Sequence, residues 1–112
     1  MKAWRKLDEI WMLVSYKDLM AVTAKTNGLN AVFIFSSQEK AEEFRRNAKM
    51  EASHGVGKET ASEFKSLAHR YARFGITHVA LDPEVDCTQY DLLPLLAWLV
   101  ALDSSEVPVN RN

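Results

Sequence analysis

Seven consecutive residues, His54-Gly55-Val56-Gly57-Lys58-Glu59-Thr60, come closest to a chemical motif in this chain. Two glycines followed by lysine have the composition of a phosphate-binding loop, in which backbone amides cradle an anion and the lysine adds charge. A P-loop also needs a glycine five residues before its second one, and Ser or Thr after the lysine to hold Mg²⁺. Here those places hold Ala52 and Glu59, and a helix rather than a strand is expected to precede them. A glutamate beside a phosphate repels it. What stays open is a simpler anion site: His54, Gly57 and Lys58 in a loop over residues 53–58, with Arg70 and Arg73 from the helix that follows.

The other reactive residues form no constellation. Asp82, Glu84, Asp86 and Asp91 could suggest a divalent cation, but a calcium loop starting at Asp82 would want glycine at Cys87 and glutamate at Leu93. His54, His69 and His78 lack the i,i+4 spacing of paired metal ligands. Cys87 is the only cysteine, so neither an internal disulfide nor a thiolate cluster can form. Its acidic neighbours Glu84, Asp86 and Asp91 would raise the thiol pKa, the wrong direction for a nucleophile. No Gly-x-Ser-x-Gly elbow is present. The residue types therefore point to no enzyme, no metal and no cofactor.

Charge is close to balanced, at −1 overall, but unevenly spread. Residues 40–73 hold eight Lys/Arg against five Glu, and residues 82–106 hold six acids and no base. Lys65, His69, Arg70 and Arg73 line one predicted helix and Arg45, Arg46 and Lys49 another, so two helices side by side could present a basic patch. Interleaved Glu42, Glu43, Glu51 and Glu63, and the lack of aromatic stacking platforms among the bases, argue against nucleic acid. A salt-bridged solvent face is the expectation. A lone cysteine suits a reducing compartment, and residues 1–10 lack an apolar signal-peptide core. A cytoplasmic location, with no membrane partner, is expected.

Positioning these residues requires a fold, and the pattern predicts one domain over residues 1–112, with a polar tail from about residue 104. Residues 10–15 (IWMLVS) read as a buried strand. Residues 16–18 can turn, and residues 19–26 alternate as a half-buried strand with Met20, Val22 and Ala24 inward. Asn27-Gly28 is a hairpin signal, because a type I′ turn needs positive φ at both central positions. Residues 31–35 (AVFIF) form a third strand. Ser36 and Glu39 have capping-box spacing, opening a helix over residues 38–52 with a narrow stripe of Ala41, Phe44, Ala48 and Ala52. A second helix, about residues 59–74, buries Ala61, Phe64, Leu67, Ala68 and Tyr71 and ends at Gly75. Residues 76–81 (ITHVAL) are a fourth strand, stopped by Asp82-Pro83. The class is α/β (α+β-like): an antiparallel β-meander of three strands, two helices, a fourth strand and a C-terminal apolar helix.

The segment from Ala31 through Phe44 (AVFIFSSQEKAEEF), followed later by GITHVALDPE from Gly75, resembles the SseB-like domain. In that family a strand ending in a Pro-Val-Phe-Thr-Ser-type stretch leads into a Glu/Ala-rich helix, and a later strand ends near Asn-Pro. Phe33, Phe35, Ser36, Ser37, Glu39, Ala41 and Phe44 fit the first pattern; Asp82-Pro83 meets the second with aspartate in place of asparagine. The similarity covers about a third of the chain. It implies a fold and a non-catalytic role, with no catalytic residues to carry over.

The last predicted element, residues 92–102 (LLPLLAWLVAL), holds no polar side chain. As a helix it would be about 16 Å long, too short to span a bilayer. Asp91 would cap it and Pro94 would fall in its first turn. Leu92, Leu95, Leu96, Leu99 and Leu102 form a stripe for the sheet, and Leu93, Ala97 and Val100 lie opposite, with Trp98 between. A helix apolar on every side must be covered on every side. The expected cover is a second copy, giving a two-fold homodimer with Leu93, Ala97, Trp98 and Val100 in its interface. A leading segment with Trp4 and Leu7 is the competing cover. Function reads as a non-enzymatic protein-interaction or regulatory module that self-associates. The alternative is a small-molecule or phosphate-binding domain using the 53–58 loop.

Overall fold

In the computed structural model, residues 9–26, 28–85 and 91–97 are described. The alternation along β3 (Leu29–Ile34) sets the layers. Successive side chains of a strand point to opposite faces. Ala31, Phe33 and the next residue but one, Phe35, enter one core with Ala41 and Phe44 of α1 (Gln38–Asn47). Val32 and Ile34 enter the other core with Phe64, Ala68 and Tyr71 of α2 (Ala61–Arg73). The two helices therefore cover opposite faces. The first core is aromatic: Phe44 stands edge-on to Phe33, with ring centroids 5.6 Å apart.

β3 is paired in parallel with β5 (His78–Leu81), from Ala31↔His78 to Ile34↔Leu81. β2 (Thr23–Thr26) and β6 (Asp91–Pro94) flank that pair, each antiparallel to its neighbour, in the order β2-β3-β5-β6. A separate ribbon joins β1 (Glu9–Ser15) to β4 (His54–Thr60), antiparallel, from Glu9↔Thr60 to Ser15↔His54. Two bridges fasten the ribbon to the sheet. Trp11 and Phe35 exchange both backbone hydrogen bonds, at 3.0 and 2.8 Å, and Val14 pairs with Ala21.

The mixed α+β class agrees with the sequence expectation, and the arrangement corrects it in several places. The three predicted strands do not make a simple meander. β2 and β3 form the Asn-Gly hairpin, with Thr26↔Leu29 the last pair and Gly28 at φ 78°, whereas the main partner of β1 is β4. Residues 53–58, expected as a loop, lie largely in that strand. Its glycines make room: a Cβ on Gly55 would sit 2.9 Å from the Tyr16 ring, and one on Gly57 3.2 Å from Val14.

The cap of α1 is Ser37, whose Oγ accepts from the Lys40 amide at 3.2 Å. Ser36 is engaged by Asp82 instead. α1 stops at Asn47 rather than continuing to residue 52, because Lys49 turns left-handed at φ 58°. The amides of Lys49 and Met50 close on the carbonyls of Arg46 and Arg45, a Schellman pair. The Arg45 guanidinium then holds the Glu51 and His54 carbonyls, at 3.1 and 2.6 Å, and leads the chain into β4. α2 begins at Ala61 because Thr60 and Glu63 form a complete capping box. Its end is as expected, with Gly75 at φ 87° and the Ile76 amide on the Tyr71 carbonyl.

The largest correction concerns the apolar stretch. Residues 91–94 are a strand on the outer edge of β5, and helix begins only at residue 95. Leu92 packs toward the aromatic core and Leu93 toward the other, the period of two that a strand requires. Asp91 is therefore no helix cap, and Pro94 ends a strand. Leu95 is buried, while Leu96 is 72% exposed. Trp98, Val100 and the remainder of the predicted stripe lie outside the described residues, as do Trp4, Leu7 and Cys87.

Candidate functional site

The hairpin between β1 and residue 21 closes tightly. The Ser15 amide donates to the Met20 carbonyl at 2.9 Å, and the Leu19 amide to the Ser15 carbonyl at 2.8 Å. Inside it, Ser15 Oγ accepts from the Lys17 amide and Asp18 Oδ1 from the Met20 amide. The geometry requires a left-handed residue, and the chain supplies Leu19 at φ 61°. Glycine or asparagine fits such a position; a leucine there costs about 1 kcal/mol. Nor does burial compensate, since Leu19 is 77% exposed. Tyr16 and Phe74 are 59% and 64% exposed, and Met20 is also exposed.

Between this turn and the end of α2 lies an open depression of about 560 Å³, with Met20, Met50, Tyr71, Phe74 and Ile76 in its lining and His54 and Asp18 also bordering it. Burial, with Glu59 nearby, pushes the Tyr71 phenol pKa upward, so its hydroxyl stays protonated. Methionine and aromatic side chains around a shallow hollow are the residue types enriched at protein interfaces. Ser15, Asp18 and His54 line the depression too: Ser15 Oγ accepts from the Lys17 amide, Asp18 Oδ1 from the Met20 amide, and His54 Nδ1 lies 2.7 Å from Ser53 Oγ.

The predicted anion residues are dispersed along the ribbon and one helix. His54 is half-buried, its Nδ1 2.7 Å from Ser53 Oγ. Lys58 pairs with Glu9 at 3.1 Å and sits 5.4 Å from the Trp11 ring centroid. Gly57 is inside β4, where successive amides point in opposite directions and do not converge on one anion. Arg70 and Arg73 are exposed on α2. The basic residues of α1 lie across the sheet from them, so the two helices form no joint basic patch. Burial, and then the neighbouring Glu63, raise the Glu59 carboxyl pKa, while the Thr60 amide and hydroxyl lower that of Glu63.

The acidic segment begins with a structural role. Asp82, left-handed at φ 50°, accepts from the Ser36 amide and hydroxyl, both at 2.8 Å, one on each carboxylate oxygen. This fixes the ends of β3 and β5 together above the start of α1. A groove of about 240 Å³ beside it runs between Lys40, Glu43 and Asn47 of α1 and Pro83 to Val85. Among the described residues no group of three His, Cys, Asp or Glu could hold a metal ion, and no helix is long and apolar enough to cross a membrane.

Of the predicted interface residues, Leu93 is half-buried against the core and Ala97 is exposed; Trp98 and Val100 are not among the described residues. The Leu19 surface went unread in the sequence. Its available signal was Leu19-Met20 directly after the polar Tyr16-Lys17-Asp18 turn. No protein-family model matches this chain, and no curated protein matches it.

Proposed function

We propose that this protein is a non-catalytic interaction module that self-associates as a homodimer, acting in the reducing environment its single cysteine suits. The observation that carries this reading is Leu19, a large apolar side chain held in a strained left-handed conformation and 77% exposed. Strain without burial is retained where the residue is used for something else. Tyr16 and Met20 in the same turn, and Phe74 across the depression that Met20 also lines, are exposed as well and supply the aromatic and methionine content of a contact surface. The resemblance to SseB-like domains belongs to the same proposal, as a non-catalytic role on a related fold. No observation favours the phosphate-binding alternative, since its loop is a strand whose lysine is already paired.

Light scattering at tens of micromolar tests it, with Leu19→Asn as the paired variant. The wild type should give about twice the 12.7 kDa chain mass. Leu19→Asn should melt higher, because asparagine tolerates the left-handed region, yet associate less. A wild type that stays at the single-chain mass would sink the self-association.

A further inference from the structure

The hydrogen-bond directions along β1 fix which side of β4 is free. Trp11 uses its N–H and C=O on Phe35, the Leu13 carbonyl accepts from Val22, and the Ser15 amide donates to Met20. These residues therefore face away from β4. Ile10, Met12 and Val14 face it, and their partners in register are Glu59, Gly57 and Gly55. The alternate residues His54, Val56, Lys58 and Thr60 turn their backbone outward. At the ends these groups are occupied: the His54 amide donates to the Met50 carbonyl, the His54 carbonyl accepts from Arg45, and the Thr60 amide donates to Glu63. The N–H and C=O of Val56 and Lys58 have no partner among the described residues.

The geometry points to this outer edge of β4 as the seam on which a second copy of the chain adds its own β4, antiparallel about a two-fold axis through Gly57. In that register Val56 stands opposite the partner's Lys58, and the reciprocal pair forms across the axis. Four hydrogen bonds then use the four free groups of each copy. Gly57 meets its own copy in a non-hydrogen-bonded pair, where the strands come closest, about 4.5 Å between Cα atoms; glycine suits that approach.

Charge selects this pairing over its neighbours. A two-fold at Lys58 or at Glu59 would set like charges directly opposite, which destabilises a sheet, and one at Val56 would set His54 against Lys58. Centred on Gly57, each lysine faces a valine and keeps its own Glu9. The seam is also continuous with the apolar surface, since His54, at the end of the edge, borders the same depression as Met20 and Phe74. This inference rests on the self-association proposed above.

Sedimentation of the full-length wild type, Val56→Pro and Leu19→Asn over a concentration series tests it. Proline at residue 56 removes an outward N–H without touching the bonds to β1, a position where edge strands accept proline. Val56→Pro should keep the wild-type circular dichroism and weaken dimerisation at least tenfold. A Val56→Pro dimer as tight as the wild type overturns the seam while leaving self-association standing. A wild type that is monomeric throughout overturns both. Should Val56→Pro fail to fold, amide exchange in the wild type decides: protection of Val56 and Lys58 that grows with concentration supports the seam, and protection indifferent to concentration across the dimerisation range overturns it.

Discussion

β4 and β5 occupy similar places in the chain and were given different edges. Each follows a helix, and each is entered through a left-handed residue closing a Schellman turn: Lys49 before β4, Gly75 before β5. β5 has β3 on one side and β6 on the other, and its Val79 and Ala80 are fully buried. Among the described residues β4 has only β1 beside it, and none of its seven residues is fully buried. A strand paired on both edges can be apolar throughout, because its backbone needs no water. A strand with one open edge carries charge and glycine, which also discourage indiscriminate pairing. The histidine, glycines and lysine that make residues 54–60 look like a ligand loop are thus the composition of an exposed edge.

That contrast can be broken most forcefully at β5. Val79→Asp would bury an unpaired carboxylate in the core beside Phe64, Ala68 and Tyr71, and should cost more than about 4 kcal/mol, leaving little folded protein by circular dichroism. Lys58→Gln on β4 removes only a solvent-screened ion pair and a cation–π contact, so its denaturation midpoint should fall by less than about 1 kcal/mol in stability. Comparable losses at the two sites would erase the distinction between the strands.

Next in size is the clamp at the end of β5. Asp82→Ala removes two hydrogen bonds to Ser36 and puts alanine at a positive φ, for an expected loss of about 2–3 kcal/mol in urea denaturation. Ser36→Ala, which keeps the amide bond, should lose roughly half as much.

The two entry turns make a smaller, signed test. Lys49→Gly should stabilise by about 1 kcal/mol, and Gly75→Lys should destabilise by a similar amount. If both variants move the melting temperature in the same direction, the two turns are not equivalent.

The smallest effect is electrostatic. The Glu59 carboxyl pKa is raised in the folded state by burial and by Glu63. Its contribution is therefore present below the ordinary glutamate pKa and is lost as pH rises through the raised one. Glu59→Gln should melt slightly higher than wild type at neutral pH, with the gap closing as pH falls into the glutamate range. A gap that widens toward acid would contradict the sign.

Much of the local grammar was legible from neighbouring residues alone. Asn27-Gly28 announced the hairpin, the β-branched and aromatic run 31–35 announced β3, and Gly75 announced the end of α2, since each is decided within a few residues. Thr60 and Glu63 carried an equally local capping box that the pattern of residues 54–60 obscured. Other features depend on partners far away in the chain. Gly55 and Gly57 make a strand only because Tyr16 and Val14 fill the space beside them. The apolar residues 92–94 fit a helix or a strand equally well; the edge of β5 decides. Ser36 lost the cap to Ser37 through Asp82, 46 residues on. The Leu19 surface needed a backbone angle that leucine rarely adopts.

The open edge of β4 is tested most directly by an isotope-filtered NMR experiment on a mixture of labelled and unlabelled protein. A two-fold seam at Gly57 brings the α protons of the two glycines together across the axis, and the prediction is an intermolecular cross-peak between them that strengthens with concentration. A dimer whose intermolecular cross-peaks lie elsewhere, with none at Gly57, would contradict it.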